Sequence, residues 1–593
     1  MIGQLVDDAR GALRRLVHGH VHLWYHPAFR VPIAGLESLT GFEPRRADDV
    51  LTWAIDRGIV HEDDVHAPEE APWSALEAVH TPAWLAALDT PEAIGAIFSA
   101  DPRRISSAPV LESWRRAAAG CIDAIGWLRA APGRRAAVLF GGFHHASPDR
   151  GSGFCGINDI AIGIKAARAA GFEGAITILD LDAHPPDGTA ACLVGDEKVT
   201  IASIGVASAW TCAPSVIDVR LPPGSGDPAY LAALDGLLGG LFPGHLAIVL
   251  AGADPLAGDR FGALACTEAG LRERDRRVLG WLGKTSALFL PAGGYTHGAW
   301  RVFAGTIAEA AGSIEPVDAD YDPLLRRTRD VARRLDPSRL GAPEDEDAWL
   351  TEADVLGALG RPQEPSEPRV LGYYTRQGIE YALEHYGLLS ALRAMGFSVL
   401  KVEIRAEDPP HRVLVTTTLA GRVETLVEVV LSKRRVGDWE TLFVEWMTLR
   451  DPRAPFTVDR PRLPGQDVPG LGFLDEVVHL LVRMAERLGL AGLSAIPAHY
   501  HVAWVARKAF TFEDPEKRGR FRALCVLLAD LPLPKATAAL DGPGWPCEWG
   551  DAAKWEPATV VLPLDAGLQA SLDAQEPAAV AAEAMWRERL LPR

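Results

Sequence analysis

The sequence predicts an α/β protein, with a parallel sheet flanked by helices, followed by a C-terminal α+β domain. Between residues 136 and 290, short apolar runs alternate with segments of helical spacing, as in a parallel sheet covered on both faces. Residues 336–369 are rich in proline and acidic side chains, a composition typical of linkers. Alternating β-type runs follow. We therefore expect domains at 1–335 and 370–593.

The first domain begins with a region, residues 1–135, that is predicted to be mostly helical. Helical spacing covers 7–17, 48–57 and 109–131. Beyond it, predominantly apolar runs predict buried strands at 136–140, 175–181, 199–204, 246–251 and 287–290. Helices are predicted between these strands at 158–170, 228–241 and 268–282.

The second domain opens with a predicted helix at 378–395. Three β-type runs joined by short turns then predict an antiparallel meander, at 412–418, 423–432 and 442–448. Apolar residues at helical spacing predict a helix at 474–488, which ends at Gly489, and a strand is expected at 493–496.

Composition limits the classes of function open to the chain. At 593 residues it is too long for a single core. The formal charge of −18 argues against a nucleic-acid or membrane-surface binder, because both need clustered Lys and Arg. Seven cysteines without a CxxC pair favour neither a disulfide framework nor a cysteine zinc finger. No apolar run predicts a signal peptide or a transmembrane helix, so we expect a cytoplasmic protein of open oligomeric state.

One stretch, residues 178–188, carries the chemistry around which the chain is organised. The strand predicted there leads into Asp180, Asp182 and His184. Side chains two residues apart point to the same side of a strand, and the following turn brings the imidazole to the same place. Carboxylate oxygens and imidazole nitrogens are ligands of divalent metals. The stretch favours a metal site, and a solvated turn is the alternative.

The other predicted strands end in residues of the same chemical kind. His144 and His145 follow the first strand, Asp254 follows the strand at 246–251, and Tyr295 follows the last. Parallel strands end on one edge of the sheet, where α/β proteins place their ligand sites. We expect these side chains to meet the metal stretch there.

Five motifs stand in order along this region. They are GGFHHA at 141–146, GFCGINDI at 153–160, DLDAH at 180–184, GADPLAGD at 252–259 and GGY at 293–295. With a further segment at 79–85, they make residues from about 20 to 315 resemble the zinc-dependent histone deacetylase family, on the arginase-like α/β fold. The DLDAH motif resembles the class IV and bacterial branches of that family more than class I.

The resemblance implies a zinc-dependent amidohydrolase that removes acyl groups from lysine side chains of proteins or peptides. It makes Asp182, His184 and Asp254 the metal ligands. Three protein ligands leave positions open for water and a substrate carbonyl, as catalytic zinc sites do. Fe²⁺ is an alternative occupant.

The resemblance also implies catalytic roles for five residues. His145 would be the general base and later the acid, with His144 as its charged or hydrogen-bonding companion. Asp180 and Asp187 correspond to the carboxylate partners of His144 and His145 respectively. Tyr295 would donate to the oxyanion that forms at the substrate carbonyl.

Two further groups of residues correspond to family sites. A structural potassium ion is implied behind the metal strand, at Asp180, Asp182, His184, Ser203 and Ile204. The walls of an acyl-lysine tunnel are implied at Gly153, Phe154, Phe261 and Gly293. Two positions depart from the family, since Pro185-Pro186 follows the ligand histidine and Ala292 replaces a glycine. The acyl-chain preference is therefore not predicted.

The second domain resembles the acetyl-CoA-binding core of Gcn5-related N-acetyltransferases. A meander, a glycine-containing turn at 466–472 and a helix carry this resemblance. The turn is one residue longer than the family motif, and Pro469 removes a backbone donor. Packing, substrate recruitment or oligomerisation is the favoured role of this domain, with acetyl transfer as the alternative.

The function predicted from the sequence is therefore the hydrolysis of acyl-lysine. One rival is a deacetylase of acetylpolyamines or other small acylated amines, because nothing before Gly141 shows the shape of the entrance. A second rival is a binding protein with a decayed site, and a third is a bifunctional acetylase and deacetylase.

Overall fold

A computed structural model describes residues 20–33, 36–207, 212–341, 368–457, 461–541 and 554–590. The chain divides into two compact units, residues 1–323 and 324–593. The helix predicted at 7–17 lies outside the described residues, as does most of the predicted linker. Within the described ranges, no helix is both long and apolar enough to cross a membrane.

The first unit contains the predicted parallel sheet, with eight strands. These are β1 Val21–Trp24, β2 Val65–His66, β3 Arg135–Val138, β4 Ile176–Asp180, β5 Val199–Val206, β6 Ile217–Leu221, β7 Leu246–Leu250 and β8 Ser286–Leu290. Their spatial order is β2-β1-β3-β8-β7-β4-β5-β6, and every neighbouring pair is parallel. The expectation of an α/β fold is thus confirmed.

Helices flank this sheet. They are α1 Leu36–Thr40, α2 Arg46–Asp56, α3 Trp73–Glu77, α4 Pro82–Ala87, α5 Pro91–Phe98, α6 Ser107–Leu128, α7 Asp159–Ala169, α8 Asp187–Cys192, α9 Asp227–Gly240, α10 Glu268–Leu282 and α11 Trp300–Ala310. Short polar side chains start several of them. Asn158 Oδ1 accepts from the amide of Ala161 at the start of α7, and Thr267 Oγ1 accepts from that of Gly270 at the start of α10. Such caps satisfy amides that the helix itself leaves unpaired.

Three strands of this sheet were not predicted. β1 and β2 lie in the region expected to be mostly helical, and that expectation was wrong for them. They have four and two residues, too few for a clear periodicity, and β1 pairs with β3 more than a hundred residues later. β6 is an edge strand with exposed or half-exposed side chains, so it lacks the apolar run of a buried strand.

The second unit has a seven-stranded mixed sheet. Its strands are β9 Leu400–Arg405, β10 His411–Leu419, β11 Arg422–Val436, β12 Trp439–Leu449, β13 Gly492–Ala495, β14 Thr511–Phe512 and β15 Val560–Pro563. The order is β14-β15-β13-β12-β11-β10-β9. Strands β10 to β12 form the predicted antiparallel meander. Strand β9, which was not predicted, extends it by pairing antiparallel to β10, and β13 runs parallel to β12.

Ten helices of the described residues precede, separate or follow these strands along the chain. They are α12 Pro323–Arg334, α13 Pro337–Leu340, α14 Arg376–His385, α15 Leu388–Ala394, α16 Leu474–Arg487, α17 Tyr500–Ala506, α18 Pro515–Leu527, α19 Leu533–Asp541, α20 Ala566–Ala574 and α21 Glu576–Leu590. The helix predicted at 378–395 is in fact two, because Gly387 adopts a left-handed conformation with φ +81°. The helix predicted at 474–488 is present as α16.

Candidate active site

The candidate site lies where four neighbouring strands of the first sheet end. β3, β8, β7 and β4 are consecutive in the sheet. The loop after each of them carries predicted site residues: His144 and His145 after β3, Tyr295 after β8, Asp254 after β7, and Asp182 and His184 after β4. Since all four strands are parallel, these loops leave the sheet at one edge. The structure therefore brings these side chains together.

The three residues predicted to bind metal form a tight cluster. One potential ligand atom from each of Asp182, His184 and Asp254 lies within 4.8 Å of the other two. His184 Nδ1 is 3.1 Å from Asp182 Oδ1 and 3.1 Å from Asp254 Oδ2. Both carboxylates are fully buried. Two oxygens and one nitrogen in this arrangement are the donor set of a divalent-metal site.

The electrostatics of the cluster fit a bound cation. Burial lowers the pKa of His184, but Asp182 and Asp254 outweigh it and raise that pKa to about 11. Burial and the charge of Asp182 raise the pKa of Asp254 well above its usual value. Two buried carboxylates side by side thus attract positive charge strongly, whether as a proton or as a metal ion. The residues present fit a divalent metal.

Gly293 allows the backbone to approach this cluster. Its amide donates to Asp182 Oδ2 at 2.7 Å. A Cβ at this position would lie 2.5 Å from that oxygen and 2.8 Å from Asp254 Oδ2. Any side chain would therefore displace the carboxylates, which explains the glycine in the GGY motif.

His144 contacts the carboxylate that the family resemblance implies as its partner. Its Nδ1 lies 2.7 Å from Asp180 Oδ2, and both side chains are buried. Asp180 Oδ1 also accepts from the amide of Asp182 at 3.1 Å, so Asp180 ties the histidine to the metal loop. Burial opposes the charged ring, but Asp180 and Asp182 overcome it and raise the pKa of His144 to about 9. The two carboxylates therefore favour the protonated form of His144.

His145 has the opposite electrostatic environment. Its Nδ1 lies 2.7 Å from Asp187 Oδ1, but this carboxylate is partly solvated, at 36% side-chain exposure. Burial and the charge of His144, whose ring centroid is 4.1 Å away, lower the pKa of His145 to about 4. His145 is neutral at pH 7, and with Nδ1–H donating to Asp187 its Nε2 carries the lone pair.

Aromatic rings stand beside the histidines. Phe154 lies 5.2 Å from Tyr295 and 5.7 Å from Phe261, between ring centroids, and Phe261 lies 5.0 Å from Tyr295. Burial, followed by the charge of Asp182, raises the pKa of Tyr295 well above its usual value, so the phenol stays protonated. Gly153, at φ +53°, has room for no side chain, because a Cβ there would overlap the ring of His145.

Asp259 is a site residue whose role the sequence did not reveal. Its Oδ2 accepts from the amide of Tyr295 at 2.6 Å, and its Oδ1 accepts from those of Phe261 and Gly262 at 3.0 Å. One carboxylate therefore positions both the tyrosine and an aromatic wall. Asp259 ends a motif noted in the sequence, but residue type alone does not show which amides it binds.

Asp159 and Arg46 support the site in a similar way and were also missed. Buried Asp159 accepts from the amides of Gly142 and Phe143, both at 2.8 Å, and so holds the loop that presents the two histidines. Buried Arg46 donates from Nη2 to the carbonyl of Ala292 at 2.7 Å. Ala292 has φ +44°, a conformation that favours glycine. The hydrogen bond from Arg46 to its carbonyl stabilises this backbone conformation.

The residues predicted to bind potassium have an unexpected neighbour. Asp180 and Ser203 are paired across β4 and β5, and Ile204 follows on β5. All three are fully buried. The Ser203 hydroxyl, however, accepts from Arg220 Nη2 at 3.3 Å. The guanidinium of Arg220 therefore already contacts one of the residues predicted to bind potassium.

His80 links the histidine loop to helix α7. Its Nδ1 lies 3.0 Å from the carbonyl of Ser147, and its Nε2 accepts from the amide of Asn158 at 2.9 Å. One ring nitrogen donates and the other accepts, so the ring is neutral. Burial lowers the pKa of His80 to about 4, although the Ser147 carbonyl opposes this.

The buried neutral state of His80 predicts acid sensitivity. Below its ordinary pKa of 6.5, the unfolded chain binds a proton that the folded protein rejects until about pH 4. Folding stability should therefore fall by about 3 kcal/mol across that window. We expect Tm to drop less between pH 7 and pH 4.5 in a His80→Gln variant than in the wild type. Parallel pH profiles of Tm would contradict this, since the two proteins share every other group.

The fold and the cluster of strand-end residues together define a class of protein: an α/β domain with a parallel sheet and a candidate divalent-metal site beside two carboxylate-bound histidines. Residues 40–311 match the family model described as the histone deacetylase domain. The chain belongs to the histone deacetylase domain family, whose members are deacetylating hydrolases and generally depend on a metal.

The chain is also similar to individual proteins. The chain is 33% identical over 264 residues to an uncharacterized protein of Picosynechococcus, covering 43% of this chain and 85% of the relative. It is 28% identical over 303 residues to histone deacetylase 2 of Arabidopsis thaliana, covering 48% and 78% respectively. Among solved structures, an HDAC homolog from Aquifex aeolicus matches with a TM-score of 0.39 and 20% identity, over 50% of this chain and 86% of that one.

Proposed function

We propose that this protein hydrolyses the amide bond of acyl-lysine in proteins or peptides, with zinc held by Asp182, His184 and Asp254. The observation that carries the proposal is the pairing of two adjacent histidines beside the metal cluster with two carboxylates, His144 with buried Asp180 and His145 with half-exposed Asp187. Asp180 raises the pKa of His144, while burial and the charge of His144 lower the pKa of His145. Divergent pKa values in neighbouring groups are characteristic of acid–base pairs in active sites.

When bound, a zinc ion supplies Lewis acidity toward the acyl oxygen and toward water. His145 then accepts the proton of the attacking water at Nε2, because Asp187 fixes the tautomer through Nδ1. The same nitrogen returns that proton to the leaving lysine amine. His144, whose protonated form Asp180 favours, would add positive charge near the tetrahedral intermediate, whose negative charge develops on the acyl oxygen.

Tyr295 is the proposed donor to the oxyanion. Its raised pKa keeps the phenol protonated, and the bond from its amide to Asp259 fixes its backbone. A positioned donor of this kind acts most strongly where water is excluded. The rings of Phe154 and Phe261 supply an apolar wall suited to the methylene groups of a lysine side chain.

The second unit is proposed to serve packing, substrate recruitment or oligomerisation rather than acetyl transfer. The turn before α16 contains Pro469, which has no amide proton, and the first turn of α16 carries Asp475 and Glu476. Negative charge at a helix N-terminus disfavours a pyrophosphate there.

A substrate panel tests the proposal. Lysine peptides bearing acetyl, lactyl, butyryl and long acyl groups are compared with acetylpolyamines as substrates of the full chain. We expect turnover of at least one acyl-lysine peptide, and the panel gives the chain preference that Pro185-Pro186 leaves unpredicted. Turnover confined to acetylpolyamines would replace the lysine proposal with a small-molecule deacetylase. No turnover of any substrate would favour a binding function.

A further inference from the structure

Arg220 occupies an unusual position for an arginine on an edge strand. It lies on β6, and its side chain is only 18% exposed. Its Nε donates to Asp218 Oδ2 at 2.7 Å, and its Nη2 also pairs with Asp218. Nη2 donates in addition to the Ser203 hydroxyl. Asp218 therefore fixes the plane of the guanidinium, and Ser203 fixes where it points.

The register of three strands explains why the guanidinium reaches this place. Asp180 pairs with Ser203 across β4 and β5, and Ser203 pairs with Asp218 across β5 and β6. Arg220 pairs with Gly205, two residues beyond Ser203. Residues two apart on a strand share a face, so all these side chains point to the side where the potassium ion is implied.

Gly205 provides the space that the guanidinium fills. A Cβ on Gly205 would overlap Arg220 Nη1 and the carbonyl oxygen of Ala183. Nη1 therefore lies close to the backbone between Asp182 and His184, two of the residues predicted to hold the ion. This nitrogen is buried and has no hydrogen-bond acceptor among the residues that the structure describes.

A guanidinium and a potassium ion do not fit this space together. The Ser203 hydroxyl already accepts from Arg220, and the second terminal nitrogen stands beside the Ala183 carbonyl. Two like charges at such a distance in a buried region repel each other strongly. The residues present therefore do not fit the potassium ion that the family resemblance implies at this place.

We infer that the Arg220 guanidinium replaces the potassium ion in this protein. It is a built-in cation that joins the ends of β4, β5 and β6 behind the strand bearing the metal cluster. Because it is covalently part of the chain, it does not depend on the salt in solution. Arg220 is a positioning residue, and the inference holds whether or not the site hydrolyses acyl-lysine.

Thermal stability of the full chain tests the inference. We expect wild-type Tm to be the same, within about 1 °C, in potassium chloride and in choline chloride at equal ionic strength. Arg220→Ala opens the space and leaves Ser203 and Asp218 to bind an ion. Its Tm should be lower in choline, and potassium should raise it by about 3 °C or more. Arg220→Lys, which keeps a cation on the chain, should respond less to potassium than Arg220→Ala.

Arg168→Ala is the matched control. Arg168 is equally exposed, at 18%, and its Nε donates to Asp196 Oδ2 at 2.9 Å, away from the predicted ion ligands. It should lose stability without gaining a response to potassium. A wild-type Tm that falls when potassium is removed would overturn the inference, as would a folded Arg220→Ala protein that ignores potassium. If Arg220→Ala does not fold, wild-type crystals grown in rubidium chloride decide the question: an anomalous peak at Ser203 overturns the inference, and none supports it.

Discussion

Asp182→Ala is expected to abolish both metal binding and deacylation. Asp182 is one of the three proposed metal ligands, and it also accepts from the amides of His184 and Gly293. Its loss removes a ligand and releases the two backbone segments that shape the cluster. Metal content measured after dialysis should fall from near one ion per chain to near zero, and turnover should fall to background.

Asp159→Asn is the matched control for this experiment. Asp159 is equally buried and accepts from two backbone amides of the histidine loop, but it is not in the metal cluster. We expect this variant to keep its metal, whatever the change in its activity. An Asp182→Ala protein that retained a full complement of metal would show that the ligands lie elsewhere.

Tyr295→Phe is expected to keep the metal and lose turnover by about a hundredfold or more. Only the hydroxyl is removed, so the packing of the ring against Phe154 and Phe261 is preserved. If the phenol donates chiefly to the transition state, kcat should fall much more than KM rises. Steady-state kinetics and metal content, measured on the same preparation, separate this from a structural defect.

Tyr321→Phe supplies the comparison. Tyr321 also uses its hydroxyl, donating to Asp56 Oδ2 at 3.0 Å, but it does not line the cavity of the candidate site. Its kcat should equal that of the wild type. A Tyr295→Phe protein that ran at full speed would remove the tyrosine from the mechanism.

The parts of the fold that were predicted are those with a strong local signal. β4, β7 and β8 are buried along their whole length, so their apolar runs are visible in the sequence. β1 and β2 have only four and two residues, too few to show a periodicity. β6 is an edge strand whose side chains are exposed or half-exposed, so it has no apolar run. The break at Gly387 was missed because the apolar spacing continues across it.

In the candidate site, too, some residues were predictable from the sequence and others were not. The resemblance to deacetylase motifs predicted that the three candidate metal ligands, the two histidines and the carboxylate partners of those histidines lie in one site. In the structure the three candidate ligands cluster, and each histidine lies within hydrogen-bonding distance of its carboxylate. The supporting contacts were not predictable. Arg46 reaches the carbonyl of a residue 246 positions later, and Arg220 reaches Ser203 only because Gly205 leaves room for it. Such contacts depend on strand register, which a single sequence does not display.

The most direct test of the account is turnover of an acyl-lysine peptide by the full chain before and after the metal is stripped. We expect hydrolysis that disappears on chelation and returns when zinc is added, with Fe²⁺ as the comparison ion. Hydrolysis that continued unchanged in the stripped protein would contradict the assignment of Asp182, His184 and Asp254 as the metal centre of a deacylase.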